Sequence, residues 1–385
     1  MSIKLYDENS FLTEFKANVI SCEKCDKGYK VVLDQTAFFP ESGGQCSDTG
    51  TIAGTEVFYV LERENEIIHF TKEPVYLGEA NCKIDWDKRF RNMQHHSGEH
   101  IVSGLMHKIY GADNVGFHLG ETEVTMDFNV LLTREDLIKI EKSANVAIIK
   151  NVPFTCWYPT AEELKSIDYR SKLDLTENVR LVKIEGYDIC ACCAPHVNSA
   201  AQIGVIKLLD FCKLRGGTRV WLKCGFDALE DYNRNYLSVQ KISALTSSRP
   251  EEVDSAVEGL NARLSELSHE ISMLKSRLIL ELAKNEKFEA NVTASFADNL
   301  DNKELQLFAD SLLKQSGGIR GAFSGSANGF NFAICGEEEM LNVFFKKLKE
   351  MLSINGGGRG GIVQGKTTSK KSEILRAFAF LSEEL

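Results

Sequence analysis

The sequence has 385 residues, of which 43% are hydrophobic and 26% are charged, so it can form two or three domains and is too apolar to be disordered throughout. It has no apolar run near the ~18 residues of a membrane span and begins without a secretory pattern, so we expect a cytoplasmic protein. Eleven cysteines, an odd number, favour free thiols or metal ligands over disulfides. The net charge of −10 argues against a general nucleic-acid coat, while a local basic surface stays compatible with it.

Four segments differ in pattern and together predict an α+β protein. Residues 1–87 are short alternating runs separated by turn signals, which predicts a small N-terminal β-barrel, with a β-sandwich as the alternative. Residues 88–247 mix strand patterns with helices, of which the first is expected from about Asp87 to Tyr110 because Gly111 follows as a stop signal. The helical segment 248–290 comes next, and a small α/β domain over residues 291–385 completes the chain.

A heptad stripe runs through the segment 248–290. Apolar residues follow one another there at alternating intervals of four and three: Val253, Val257, Leu260, Leu264, Leu267, Ile271, Leu274 and Leu278. This spacing puts them on one face of a helix, whose stripe is about 40 Å long at 1.5 Å per residue. We expect a coiled-coil-like rod that dimerises or acts as a spacer, with a helix packed on its own domain as the alternative.

Histidines and cysteines predict a metal site. Of the eight histidines, six lie between positions 95 and 196, and the string His96-Ser-Gly-Glu-His100 puts two imidazoles on one helix face, one turn apart. Residues 190–196 read Cys-Ala-Cys-Cys-Ala-Pro-His. This mixture of imidazole and thiolate donors is typical of tetrahedral zinc. Cys192 has a CxxxH spacing to His196, but spacing alone leaves Cys190 and Cys193 as alternatives.

The same string also fits the H-x-x-E-H pattern of inverted zinc proteases, in which Glu99 would activate water. Those enzymes use a carboxylate as their third ligand, whereas this chain offers a cysteine and a histidine. A protease is therefore a remote alternative.

Several motifs resemble one family in their order and separation. Residues 36–50, Thr-Ala-Phe-Phe-Pro-Glu-Ser-Gly-Gly-Gln-Cys-Ser-Asp-Thr-Gly, resemble the glycine-rich loop of the editing half of alanyl-tRNA synthetase. The HxxxH and CxxxH pairs resemble the metal motifs of that family, and residues 202–204 resemble the end of its next strand. Residues 115–120, Val-Gly-Phe-His-Leu-Gly, resemble the free-standing alanyl-tRNA editing proteins, and the glycine-rich C-terminal segment resembles the synthetase C-terminal domain.

The resemblance covers nearly the whole chain and implies a long-form, free-standing editing protein. Its implied activity is hydrolysis in trans of tRNA(Ala) mischarged with serine or glycine, with Zn²⁺ as cofactor. Carried over position by position, the zinc ligands are His96, His100, Cys192 and His196.

The resemblance also implies residues that surround the metal. Gly43 and Gly44 lie in the loop that borders the substrate, and Gln45 is expected to act at the ester or amino group. We expect one wall of the amino-acid pocket from Phe117 and His118. The expected catalytic set also includes Glu99, as an orienting or acid–base group, with a solvated helix face as its alternative. Where the family commonly has Thr-Gly-Glu-Ile-Gly, this chain has Ala-Ala-Gln-Ile-Gly at 200–204, which leaves the substrate preference open.

Two stretches, 207–223 and 346–376, are rich in basic residues. Phosphate contacts supply most sequence-independent affinity for nucleic acids, so we expect tRNA contacts from Lys213, Arg215, Arg219, Lys223, Arg359 and Lys366. Ordinary solvated surfaces are the alternative for each stretch. For the whole protein, the alternative to an enzyme is a zinc-stabilised tRNA-binding module without turnover, and a homodimer through the rod or the C-terminal domain is the expected assembly.

Overall fold

The computed structural model describes residues 2–171, 178–326 and 329–384. The chain divides into two compact units, residues 1–241 and 242–385. Both units mix helices and sheets, as expected for an α+β protein. Among the described residues, no helix is both long enough and apolar enough to cross a membrane.

The first unit begins with a strand-rich part. Its elements are β1 (Ile3–Lys4), α1 (Leu5–Glu8), β2 (Glu14–Cys25), β3 (Gly28–Leu33), β4 (Gln35–Thr36), β5 (Gly50–Ile52), β6 (Thr55–Arg63), β7 (Glu66–Thr71) and β8 (Gly78–Ile84). Six of these strands form a closed barrel in the order β2-β3-β7-β6-β5-β8. Buried and exposed residues alternate along β8, because successive side chains of a strand point to opposite faces.

The rest of the first unit contains two sheets and the longer helices. Its elements are α2 (Trp86–Tyr110), β9 (Asn114–Leu119), β10 (Val124–Phe128), α3 (Arg134–Ile149), β11 (Phe154–Trp157), α4 (Ala161–Ser166), β12 (Leu181–Ile184), β13 (Asp188–Ala191), β14 (Ile206–Leu214), β15 (Gly217–Cys224) and α5 (Gly225–Thr246), which crosses into the second unit. The strands pair as β14-β15-β10-β9 and as β11-β12-β13.

Helix α2 is the central element of the first unit. The Asp85 side chain caps its start by accepting from Lys88 N, and Gly111 ends it with a left-handed φ of 61°. The expected helix over residues 87–110 is therefore confirmed. Glycines on α2 permit close packing, since a Cβ at Gly98 would lie 2.4 Å from the Cys224 sulfur.

The second unit is a five-stranded sheet with helices on both faces. Its further elements are α6 (Val253–Asn285), β16 (Val292–Phe296), α7 (Asn302–Ser316), β17 (Ile319–Ser326), β18 (Gly329–Cys335), α8 (Glu338–Met351), β19 (Ile354–Gly358), β20 (Ile362–Thr367) and α9 (Lys371–Glu384). The strand order is β16-β17-β18-β20-β19. One hydrophobic core joins the sheet to α8 and α9, and another joins it to α7 and the end of α6.

Candidate metal centre and active site

The four predicted metal ligands meet between α2 and the segment that follows β13. Their ligand atoms all lie within 4.8 Å of one another. The Cys192 sulfur is 3.5 Å from His96 Nε2 and 3.3 Å from His196 Nε2. The three imidazoles are buried, with ring centroids 4.8–5.4 Å apart. Residues from a helix and a turn about 90 positions apart thus form one cluster that could hold a metal ion.

Each imidazole of the cluster has its other ring nitrogen engaged. Nδ1 of His96 lies 2.7 Å from Gln45 Oε1, Nδ1 of His100 lies 3.1 Å from Asp188 Oδ2, and Nδ1 of His196 lies 3.0 Å from the Ser97 hydroxyl. Hydrogen bonds at Nδ1 leave the Nε2 lone pair available, as is usual for metal-ligating histidines. The donor set and its orientation fit a zinc ion.

The three candidate thiols occupy different positions. Cys192 is central to the cluster, whereas Cys190 belongs to a second group with His100 and Asp188, whose ligand atoms also lie within 4.8 Å of one another. The sulfur of Cys193 lies 3.7 Å from the Ser42 hydroxyl. Geometry therefore favours Cys192 over its two neighbours as the thiol ligand.

Electrostatics favour the metal-binding form of this thiol. Burial by itself would raise the pKa of Cys192, but His96 and His196 beside it lower the pKa well below its ordinary value. Burial lowers the pKa of His196 to about 3. A thiolate next to a neutral imidazole is the state in which both side chains can coordinate a metal.

A two-residue turn carries Gln45 to the cluster. The backbones of Ser42 and Gln45 exchange two hydrogen bonds of 3.1 and 3.0 Å, and Gly43 and Gly44 between them have φ values of 60° and 82°. Such a turn needs positive φ at both central positions, which explains the glycine pair. The turn docks on β9, because Leu119 N donates to Gly44 O at 2.7 Å.

The side-chain amide of Gln45 has a free donor. Gln45 is fully buried, and its Nε2 is the one buried side-chain nitrogen or oxygen without a hydrogen-bond partner in the part of the chain that the structure describes. His96 must donate from Nδ1 if its Nε2 is to bind a metal, so the amide oxygen faces His96 and Nε2 points elsewhere. An unsatisfied buried donor costs about 1–3 kcal/mol, which a substrate oxygen could recover.

The other expected pocket residues fall in different places. Phe117 lies against the metal cluster, with its ring centroid 5.0 Å from that of His96. His118 is exposed, because strand neighbours point to opposite faces, so it does not join Phe117 in one wall. Glu99 is buried; its Oε1 accepts from Ser103 and Asn114 at 2.5 and 2.6 Å, and its Oε2 lies 3.9 Å from His100 Nε2.

The expected RNA contacts also differ in their surroundings. Arg219 pairs with Asp127 at 2.7 Å, and Lys223 pairs with Asp231 at 2.9 Å, so their charges are compensated. The other four expected contacts are exposed and form no ion pair with any described residue: Lys213, Arg215, Arg359 and Lys366. Two of them, Arg215 and Arg359, lie at the tips of the β14–β15 and β19–β20 hairpins.

One structural expectation is wrong. Residues 200–203 form a turn of 3-10 helix rather than the end of a strand. The Gln202 side chain folds back and accepts from the backbone N–H groups of Asn198 and Ser199 at 2.8 and 3.3 Å. The glutamine that departs from the family pattern therefore stabilises its own turn.

Three residues around the cluster were not predicted from the sequence. Ser97 contacts Nδ1 of His196, Asp188 contacts Nδ1 of His100, and Arg170 contacts Asp188. Arg170 donates to both oxygens of Asp188 at 2.8 and 2.7 Å. Burial by itself would raise the pKa of Asp188, but hydrogen bonds from His100 and Arg170 hold it below its ordinary value. No spacing rule links residues so far apart in the chain.

Comparisons with known proteins show what the chain is similar to. Residues 179–221, which include Cys192 and His196, match the family model described as the threonyl and alanyl tRNA synthetase second additional domain. An alanine–tRNA ligase from Ignicoccus hospitalis is 30% identical over 299 residues, covering 74% of this chain and 33% of the ligase. Part of the first unit, residues 179–221, is thus similar to a domain found in these synthetases.

Free-standing relatives match nearly the whole chain. The alanyl-tRNA editing protein AlaX-L of Pyrococcus horikoshii is 28% identical over 395 residues, which cover 97% of this chain and 96% of that protein. Aarsd1-A of Xenopus laevis, also named an alanyl-tRNA editing protein, is 28% identical over 387 residues, covering 94% of each chain. The resemblance inferred from the motifs is confirmed: along nearly its whole length this chain is a relative of the free-standing alanyl-tRNA editing proteins.

Among solved structures, the C-Ala domain of Aquifex aeolicus alanyl-tRNA synthetase matches with a TM-score of 0.22 and 20% identity. The match covers 26% of this chain and 96% of that domain.

Proposed function

We propose that this protein is a zinc-dependent aminoacyl-tRNA deacylase that acts in trans on tRNA(Ala) mischarged with serine or glycine. The observation that carries the proposal is the buried donor of Gln45 beside a cluster of three histidines and a cysteine. Similarity to alanyl-tRNA editing proteins along nearly the whole chain supports tRNA editing as the process. The site of action would be the cytoplasm.

The proposed substrates follow from the limits of amino-acid recognition. A synthetase pocket shaped for alanine cannot strongly reject serine, which adds one hydroxyl, or glycine, which is smaller. A second site must then remove these residues by hydrolysing the ester that joins them to tRNA. Such a site can spare alanyl-tRNA if alanine leaves a buried polar group without a partner.

Zinc would be held by His96, His100, Cys192 and His196, where it would supply Lewis-acid polarisation of an oxygen or of water. The side chains around that position would have distinct roles. Gln45 Nε2 is placed to donate to a carbonyl or hydroxyl oxygen of the substrate. Phe117 supplies an apolar surface next to His96. The negative charge of Asp188 orients His100 through its Nδ1 hydrogen.

We further propose that the tRNA is bound by the unpaired basic residues and that α6 mediates dimerisation. The exposed hairpin tips carrying Arg215 and Arg359 are the parts of the two basic stretches best placed to meet phosphates. On α6, seven of the eight stripe residues are exposed, which supports a helical partner.

The alternatives make different predictions. A zinc-stabilised module without turnover would need no free donor beside the metal, and Gln45 provides one. A zinc protease of the H-x-x-E-H type would need a carboxylate ligand, whereas the cluster contains Cys192 and His196. The deacylase is therefore the better explanation of the site.

The test is single-turnover hydrolysis of Ser-, Gly- and Ala-tRNA(Ala) at fixed zinc, together with metal analysis. We expect one zinc per chain and release of serine or glycine well above the buffer rate, with alanine spared. Cys192→Ala should lose the zinc and at least about 100-fold in rate. The control Cys193→Ala removes the neighbouring thiol and should keep both. An unsubstituted protein that hydrolyses none of the three substrates would favour the non-catalytic module, and zinc retained by Cys192→Ala would show a wrong ligand set.

A further inference from the structure

A buried arginine on α2 joins three segments of the first unit. Arg89 is fully buried, as is its ion-pair partner Asp48. Its Nε lies 3.1 and 3.0 Å from the two Asp48 oxygens, its Nη1 donates to Ser10 O at 2.9 Å, and its Nη2 donates to Ala37 O and to Asp48. A planar guanidinium, with N–H groups in several fixed directions, can donate hydrogen bonds to all these acceptors at once.

Two of the segments that Arg89 holds are connected to the metal site. Asp48 lies three residues after Gln45, and its carboxylate accepts from Phe39 N at 2.6 Å, which closes the base of the same loop. Ser10 donates from its hydroxyl to the carbonyl oxygen of His196 at 2.8 Å. Arg89 itself lies seven residues, about two helical turns, before His96 on α2.

We infer that Arg89 is a positioning residue for the metal site. It touches neither the cluster nor Gln45, and it acts through Asp48, through Ser10 and through the helix that carries it. These connections set how far Gln45 and His196 stand from the two histidines of α2. Metal ligands and their hydrogen-bond partners need placement within about 0.5 Å, so a change at this junction alters the site from a distance. The inference rests on the proposed zinc site.

A purely structural clamp is the competing explanation, and the chain offers a matched control for it. Arg320 in the second unit is also a buried arginine, 2% exposed. It donates to Ala290 O and Thr293 Oγ1 at 3.0 Å each and to Ser316 Oγ at 2.7 Å. It lies in a different compact unit from the metal cluster. Replacing it with lysine removes a buried guanidinium with several acceptors from the unit that contains none of the metal-cluster residues.

The experiment compares Arg89→Lys, Arg320→Lys and the unsubstituted full-length chain. Zinc affinity is measured by competition with a chelator, the visible absorption bands of the Co²⁺-loaded protein report ligand geometry, and thermal unfolding reports stability. We expect Arg89→Lys to bind zinc about 10- to 100-fold more weakly and to change the cobalt bands. We expect Arg320→Lys to lower the unfolding temperature only. Removal of Gln45 should also cost less activity in the Arg89→Lys background than in the unsubstituted chain, because its placement is already lost.

The outcomes separate the two proposals. Arg89→Lys with unchanged zinc affinity and unchanged cobalt bands would overturn the positioning role while leaving the proposed function standing. An unsubstituted chain that binds no zinc would overturn both. If Arg89→Lys does not fold, Asp48→Asn keeps one oxygen to accept from Phe39 N but removes the negative charge and one of the two oxygens that accept from Arg89. That variant should then bind zinc more weakly than the unsubstituted chain and change its cobalt bands. Unchanged zinc affinity and unchanged bands would count against the inference.

Discussion

Which ring nitrogen of a buried imidazole carries the hydrogen depends in this protein on the group that contacts it. The three histidines of the metal cluster each bond a different side chain through Nδ1: an amide, a carboxylate and a hydroxyl. The buried imidazole of His69, inside the barrel, has its Nδ1 3.1 Å from Val31 O and its Nε2 2.9 Å from the Thr36 hydroxyl. A carbonyl can only accept, so Nδ1 carries the hydrogen and Nε2 accepts from Thr36. His69 is therefore satisfied as a neutral group.

A pH dependence of stability follows for His69. Burial lowers its pKa from 6.5 to about 4. Between these two pH values the imidazole is protonated in the unfolded chain but neutral in the folded chain. Stability contributed by the neutral imidazole is therefore present above pH 6.5 and lost as the pH falls towards 4. Between pH 7.5 and 5.0 the loss should be about 2 kcal/mol.

The measurement is the free energy of unfolding in urea at the two pH values. His69→Gln has no titrating group, so its loss over the same interval should be smaller than that of the unsubstituted chain by this amount. An equal loss in both proteins would contradict the assignment.

Among the elements, the turn over residues 42–45 determines where Gln45 stands. Both central glycines have positive φ, so a side chain at either one is strained in a similar way. Their surroundings differ. A Cβ at Gly44 would lie 2.2 Å from the carbonyl oxygen of Phe117, whereas a Cβ at Gly43 would have no neighbour within 4 Å. Comparing an alanine at Gly43 with one at Gly44 therefore distinguishes the effect of backbone strain from the effect of the contact between the turn and β9.

We predict that Gly44→Ala is the more damaging of the two substitutions. It must push the turn away from β9 and move Gln45 from His96, so it should destabilise the protein by about 1–3 kcal/mol beyond Gly43→Ala and slow deacylation. Thermal unfolding and single-turnover rates of both variants check this. If the two variants behave alike, close docking of the turn is unimportant.

For the whole molecule, the question is what covers the stripe on α6. Seven of its residues, from Val257 to Leu278, are 37–62% exposed. A sustained heptad of exposed apolar residues is typical of a helix that pairs with another helix. We therefore expect self-association through α6 in solution.

This expectation can be tested with two pairs of substitutions of equal spacing on one helix. The double variant Leu264→Lys and Ile271→Lys places charges on the stripe, while Ser255→Lys and Ala262→Lys places the same charges on the opposite face of the helix. By sedimentation equilibrium, the unsubstituted chain and the off-stripe variant should be dimers and the stripe variant a monomer. A monomeric unsubstituted chain, or a dimeric stripe variant, would refute the role of α6.

The sequence by itself determined what depends on local geometry. The bounds of α2, the pairing of His96 with His100 and the pairing of Cys192 with His196 follow from helical spacing and short turns, and the structure brings these four together. The glycine pair before Gln45 marked a loop, which the structure forms as a tight turn. Local spacing could also have separated Phe117 from His118, but only the packed sheet shows which face meets the metal cluster.

Tertiary structure alone decided the contacts between distant parts of the chain. Gln45 and His96 are 51 residues apart, and His100 and Asp188 are 88 apart. The same holds for the junction at Arg89, which meets Asp48 and Ser10, 41 and 79 residues earlier in the chain. No periodicity encodes such contacts, because they arise only when buried polar groups find partners as the core closes. The four clustered side chains and Gln45 could therefore be predicted from the sequence, whereas Ser97 and Asp188, which contact the other two imidazoles, could not.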